Sequence, residues 1–202
     1  MAVMMDYILS GFIFGILALT MARIQMNINA SLYNNTYNII VQRNAAQLAL
    51  QIEHDFLKIG YRVHPDSGQV TYADQKSIIF RSDLNRTGSI KMVKYLKGDS
   101  TQMTSTVNVH DFALGRYEGA SPVPASIPQQ NWGLTRFSIE YYDSLMNTLS
   151  VPLSAANLKK INAIQVSFVI QSTEPVLTWY DTTWPAVTWQ KLMYPRNLNN
   201  LQ

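Results

Sequence analysis

Hydrophobic positions follow two rhythms along this chain, and the change comes near residue 60. Asp6 precedes an uncharged apolar run over residues 7–22, built from Tyr7, Ile8, Leu9, Gly11, Phe12, Ile13, Phe14, Gly15, Ile16, Leu17 and Leu19 with Ser10, Ala18, Thr20, Met21 and Ala22 between and after them. From Arg23 to Ile59 there is no proline or glycine, so nothing interrupts a helix. Apolar residues recur at Ile24, Ile28, Leu32, Ile39 and Ile40, then at Leu48, Ile52, Phe56 and Ile59, and the last four share one helix face. Asn34-Asn35-Thr36-Tyr37-Asn38 is poor helix-forming sequence, and a local melt or bend is expected there. Helical throughout, residues 6–59 would extend roughly 80 Å at about 1.5 Å per residue. A rod of that length cannot be buried in the remaining chain, so its first half must lie in lipid or against other helices.

Gly60 is placed to end the helix, and the period then becomes two. Pro65-Asp66-Ser67-Gly68 is a turn sequence. Residues 77–81 and 89–96 read as strands around the turn Asn85-Arg86-Thr87-Gly88, and 104–109 as a third strand. Residues 119–131, with Pro122, Pro124 and Pro128, read as a loop. Strands follow at 134–142 and 163–171, the latter nearly continuous in apolar and β-branched residues, as suits a central strand. The tail, 179–202, reads as irregular. The expected architecture is α+β: a long N-terminal helix over 1–60, with its membrane segment at about 7–22, packed on a mostly antiparallel β-sheet body over 61–202.

The uncharged run is slightly short of the roughly 20 residues that span a bilayer. Gly11 and Gly15 lie one turn apart, a spacing that lets helices approach closely in lipid. A cleaved secretory signal is the competing reading, with Thr20-Met21-Ala22 as a loose cleavage site. The stretch before the run has no Lys or Arg and ends in Asp6, which favours a retained anchor. Arg23, beyond the run, would place the body in the cytoplasm by the positive-inside rule, but a single arginine leaves orientation open. A carboxylate at the membrane edge is costly unless it is hydrated or meets a positive charge. Asp6 therefore has two readings: it marks the water boundary, or it pairs with a neighbouring chain's terminal amine once Met1 is removed.

Composition narrows the function class. The sixteen Lys and Arg are scattered, with a formal net charge of +3 and no basic tract, so no nucleic acid partner is expected. The absence of cysteine excludes disulfides and thiolate metal sites. His54, His64 and His110 stand in unrelated contexts without metal-ligand spacing, and the familiar nucleophile, phosphate-loop and dinucleotide motifs are missing. Neither catalysis nor a cofactor is expected. Asp83, Asn85 and Thr87 before Gly88 partly match a calcium loop, but Lys94 stands where a bidentate glutamate is needed, and a hairpin turn explains the same residues.

In layout the chain resembles the type IV pilin superfamily, specifically its larger minor pilins and minor pseudopilins. Asp6 stands where that family carries an acid near the start of its apolar helix. Leu48-Ala49-Leu50-Gln51-Ile52-Glu53-His54-Asp55-Phe56-Leu57-Lys58-Ile59-Gly60-Tyr61 is similar to the family's helix-to-body junction. Ser77-Ile78-Ile79-Phe80-Arg81-Ser82-Asp83-Leu84-Asn85 before a Lys-Tyr-Leu strand, and Phe137-Ser138-Ile139-Glu140-Tyr141-Tyr142-Asp143 followed by a strand at 161–170, extend the likeness over nearly the whole chain. It rests on pattern, not on an exact motif. The usual prepilin peptidase site, a glycine before Phe-Thr-Leu and a glutamate, is missing, and no short basic leader precedes Asp6. The resemblance is thus to a diverged subunit that enters the membrane unprocessed. It implies a non-enzymatic structural subunit of a bacterial filament, pilus or type II secretion pseudopilus. Such a subunit sits in the inner membrane with its body in the periplasm or on the cell surface. Its partners are the membrane and copies of itself or other pilin-like subunits.

The aromatic tail suggests an alternative: a single-pass anchor presenting a β domain that binds a glycan or peptide. Trp179, Tyr180, Trp184, Trp189 and Tyr194 would form its contact platform. The plainer account has these rings covering the sheet edge and core.

Overall fold

The computed structural model describes residues 2–64, 67–99, 106–124, 126–178 and 181–199. Its first element is one unbroken helix, α1 (Ala2–Leu57), whose 56 residues make a rod roughly 84 Å long. The asparagine-rich stretch does not melt. Its polar groups bond along the helix: Asn38 Nδ2 donates to Asn34 Oδ1 at 3.2 Å and Thr36 Oγ1 to the Leu32 carbonyl at 2.9 Å. Tyr37 adds a tertiary anchor, its hydroxyl donating to Glu174 Oε2 at 2.9 Å. The chain leaves the helix through Gly60, whose φ of 75° is the left-handed geometry that glycine adopts freely. A β-carbon there would also lie 2.9 Å from the Gln69 side chain.

Beyond the turn come β1 (Val70–Ala73), β2 (Ser77–Ser82), β3 (Lys91–Lys97), β4 (Phe112–Gly119) and β5 (Gln129–Tyr142). A short helix α2 (Ala155–Leu158) precedes β6 (Ala163–Gln171), a small hairpin of β7 (Val176–Leu177) and β8 (Thr182–Thr183), and β9 (Ala186–Met193). Seven of the strands form one sheet in the order β1-β2-β3-β4-β5-β6-β9, antiparallel at every step. This is the expected α+β arrangement.

The strand map differs from expectation at four places. Residues 104–105 lie outside the described residues, and 106–109 form a bend and turn in place of a strand. The strand of that region is β4, whose alternation is disguised by Gly115, Gly119 and the charged Arg116 and Glu118. β5 begins at Gln129 because Gln129 and Gln130 pair with Gly115 and Leu114, so the end of the supposed loop is strand. β1 is a further strand, paired with β2. In the tail, β9 pairs with β6 from Ala186↔Gln171 to Met193↔Ile164 and is regular. Its partner makes β6 an interior strand. Pro65, Asp66, Trp179, Tyr180 and residues 200–202 fall outside the described residues.

The helix covers one face of the sheet. Val41, Ala45, Leu48, Ala49, Ile52 and Phe56 of α1, with Ile59 just beyond, are buried against Phe80, Val93, Tyr95, Leu134, Ile139, Val166 and Phe168. Phe56 meets Phe80 and Tyr95 edge to face, with centroids 5.9 and 5.5 Å apart. The core thus draws on both sides of residue 60, and the lower third of α1 is part of the body.

Candidate functional site

The upper part of α1 is the most unusual surface of the molecule. From Met4 to Leu32 every large apolar side chain is exposed, and none of the apolar window is buried. A contiguous apolar surface of this extent calls for a cover. The helix is long and apolar enough to cross a membrane. Its backbone bonds are internal, and its hydroxyls need no water: Ser10 Oγ donates to the Tyr7 carbonyl at 3.0 Å and Thr20 Oγ1 to that of Leu17 at 2.8 Å. Tyr7, Ile8, Leu9, Phe12, Ile13, Phe14, Ile16, Leu17 and Leu19 all belong to this exposed set. Added β-carbons at Gly11 and Gly15 would meet nothing within 4 Å. Glycine costs a helix about 1 kcal/mol relative to alanine, and nothing in the protein's own packing requires it at either position. Asp6 lies on the same exposed rod.

The helix is fixed to the sheet by a polar cluster that sequence reading passed over. Asp55 is buried, and its Oδ2 accepts from the Tyr95 hydroxyl at 2.6 Å and from Arg116 Nε at 2.7 Å. Its Oδ1 lies 3.0 Å from His54 Nδ1, while Lys58 Nζ is 2.7 Å from His54 Nε2 and donates to the Leu84 carbonyl at 2.8 Å. Arg116 continues to Glu118, which also takes Lys91 at 3.0 Å and Asn85 at 2.8 Å. Burial, then the Asp55 charge, push the Tyr95 phenol well above its ordinary value, so it remains a donor. Burial opposes charge on Arg116, but bonding to Asp55 outweighs it and raises the guanidinium above its usual value. The signal in the sequence was an acid at Asp55, on the apolar stripe of Ile52, Phe56 and Ile59.

The weak calcium candidate is a self-contained turn. Asp83 Oδ1 accepts from the Thr87 N–H and Oδ2 from the Gly88 N–H, each at 2.9 Å, and Arg62 reaches Oδ2 at 3.1 Å. Burial raises the Asp83 carboxyl, yet these donors hold it below its ordinary value. Asn85 points its amide to Glu118. Among the described residues no group of three His, Cys, Asp or Glu side chains is placed to hold a metal.

Three of the tail's aromatic residues, Trp184, Trp189 and Tyr194, lie among the described residues. Trp189 stacks on Phe168 with centroids 4.9 Å apart and packs on the core, while the Tyr194 hydroxyl points to the Met146 sulfur at 3.6 Å. Trp184 is half-buried. No family model, curated protein or solved structure matches this chain, so the reading of its function rests on its own geometry.

Proposed function

We propose that this protein is a pilin-like structural subunit of a membrane-anchored filament, pilus or type II secretion pseudopilus, acting without catalysis. The observation that carries this reading is the single helix whose large apolar side chains from Met4 to Leu32 are all exposed while its lower third is built into a sheet body. Such a subunit can wait in a membrane and later exchange lipid for the helices of its neighbours, because both environments satisfy the same apolar surface. The notch at Gly11 and Gly15 supports close helix approach. Asp6 then pairs with a positive group of an adjacent subunit within the bundle. In this reading the anchor sits in the inner membrane and the body projects into the periplasm or from the cell surface. The partners are copies of this chain or related subunits.

The test is electron microscopy of the intact chain as detergent is removed. Thin regular filaments are expected, alone or with related subunits. Gly11→Leu with Gly15→Leu should abolish them while leaving the thermal melt of the body unchanged, and Asp6→Ala should do the same if charge pairing guides assembly. Wild-type filaments from the double leucine variant would refute packing through that face. Particles that stay monodisperse in every partner mixture would favour an anchored β domain serving as a ligand-binding module.

A further inference from the structure

The sheet carries a second feature, remote from the anchor. β5 continues past Leu134, the end of its pairing with β4, and the β1–β2 turn closes over this extension. The Gln75 carbonyl accepts from the Ile139 N–H at 3.0 Å, and the Asp74 carbonyl from the Tyr141 hydroxyl at 3.0 Å. A cleft of about 660 Å³ lies beside this split, walled by the ends of β2 and β3, the start of β4 and the middle of β5.

Its charge is one-sided. Lys76, Lys97 and Arg136 line it together with His110, and Asp99 is the sole carboxylate of the wall. Asp99 offsets part of that charge, since its carboxylate acts on Lys97, but three permanent cations face it. Lys97 is held against the wall, its Nζ 4.2 Å from the centroid of the buried Phe112 ring. Burial, and then the charge of Lys76, press the Lys97 ammonium below its ordinary value against the opposing charge of Asp99. Gln171 has its oxygen engaged by Asn108 Nδ2 at 3.2 Å, which leaves its amide N–H groups as donors for the cleft.

We infer that this cleft binds a small polyanion bearing phosphate or carboxylate oxygens, held between Lys76, Lys97 and Arg136. Converging cations relieve their mutual repulsion by taking up an anion, and a partly desolvated wall strengthens each charge-assisted bond. The inference is independent of filament assembly, since no residue of α1 lines the cleft.

Calorimetric titration of the full chain in non-ionic detergent tests it, with pyrophosphate and citrate as probes at matched ionic strength. Saturable binding of one equivalent of either is expected. Tighter pyrophosphate would assign the cleft to phosphate-bearing ligands, and tighter citrate to carboxylate-bearing ones. Lys97→Met and Arg136→Gln should each weaken binding roughly tenfold, the worth of one charge-assisted contact. Lys94→Met removes a sheet lysine outside the cleft and should change nothing. Absence of saturable heat with both anions would overturn the inference, as would equal weakening by Lys94→Met, which would reveal only general charge screening. Thermal melts of the variants, expected at the wild-type temperature, separate lost binding from lost folding.

Discussion

The two ends of α1 obey the same backbone geometry and opposite solvent rules. Below Val41 the apolar stripe is narrow, one face wide, and every member of it is buried in the protein's own core. Above Leu32 apolar residues run all around the helix and none of the large ones is covered. A narrow stripe identifies a helix that packs on one neighbour, whereas an all-round apolar surface identifies one surrounded on every side. Stability of the body is therefore written into one part of this element, and the surface proposed to insert or assemble into another.

That separation can be broken most severely by truncation. A chain starting at residue 61 lacks Val41 to Ile59 and is expected not to fold, whereas one starting at Tyr37 should fold and remain soluble without detergent; circular dichroism melts distinguish them. Next in size, Phe56→Ala should cost about 3–5 kcal/mol in denaturant unfolding, while Phe12→Ala should move that stability by less than about 0.5 kcal/mol and act only on assembly. Asp55→Ala leaves Arg116 with Glu118 as its remaining partner and should cost about 2–3 kcal/mol, less than for a fully buried pair because the guanidinium is partly exposed. Asp6→Ala should leave the same melt unmoved.

A smaller effect is expected from acid. Burial opposes ionisation of Glu118, but Lys91 and Arg116 hold its carboxyl below the ordinary value, as its donors do for Asp83. A folded-state value below the unfolded one means that these groups contribute fully above the unfolded range near pH 4. Their contribution is lost as pH falls through the depressed values. Melts should therefore be flat between about pH 5 and 8 as far as these groups are concerned, and should drop below about pH 4. Glu118→Gln should blunt that drop. The smallest measurable loss of body stability should come from Tyr37→Phe, which removes one exposed hydrogen bond to Glu174 and should cost about 0.5 kcal/mol.

How much of this was legible follows from where each signal originates. The stripe of Leu48, Ile52, Phe56 and Ile59 is imposed by helical period and stands in its expected role; the strand at 163–171 forms as its apolar and β-branched run predicts, but lies next to the edge strand β9 and not at the sheet's centre. The uncharged run at 7–22 was equally plain, because nothing but composition is needed to recognise it. β4 was not legible, since Arg116 and Glu118 occupy core-side positions only because Asp55 and Lys91 meet them there. β9 owes its regularity to β6, and a tryptophan within it looks like tail until Phe168 is placed beneath it. The Asp55 cluster joins residues 40 and 61 positions apart, a separation that local patterns do not register. The cleft was hidden for the same reason: Lys76 in the β1–β2 turn, Lys97 on β3 and Arg136 on β5 meet only once the sheet is assembled.

The continuity of α1 through Asn34–Asn38 has a mechanical consequence. A melted segment there would have acted as a swivel, and the body would have turned independently of its anchor. An unbroken helix is a lever instead. About 35 residues of rod make an arm of roughly 50 Å, so a tilt of about 10° at the membrane would swing the body by about 9 Å. With the proposed anchoring, orientation set in the bilayer or by neighbouring helices would be delivered to the sheet with little slack, and a force applied to the body would return along the same shaft.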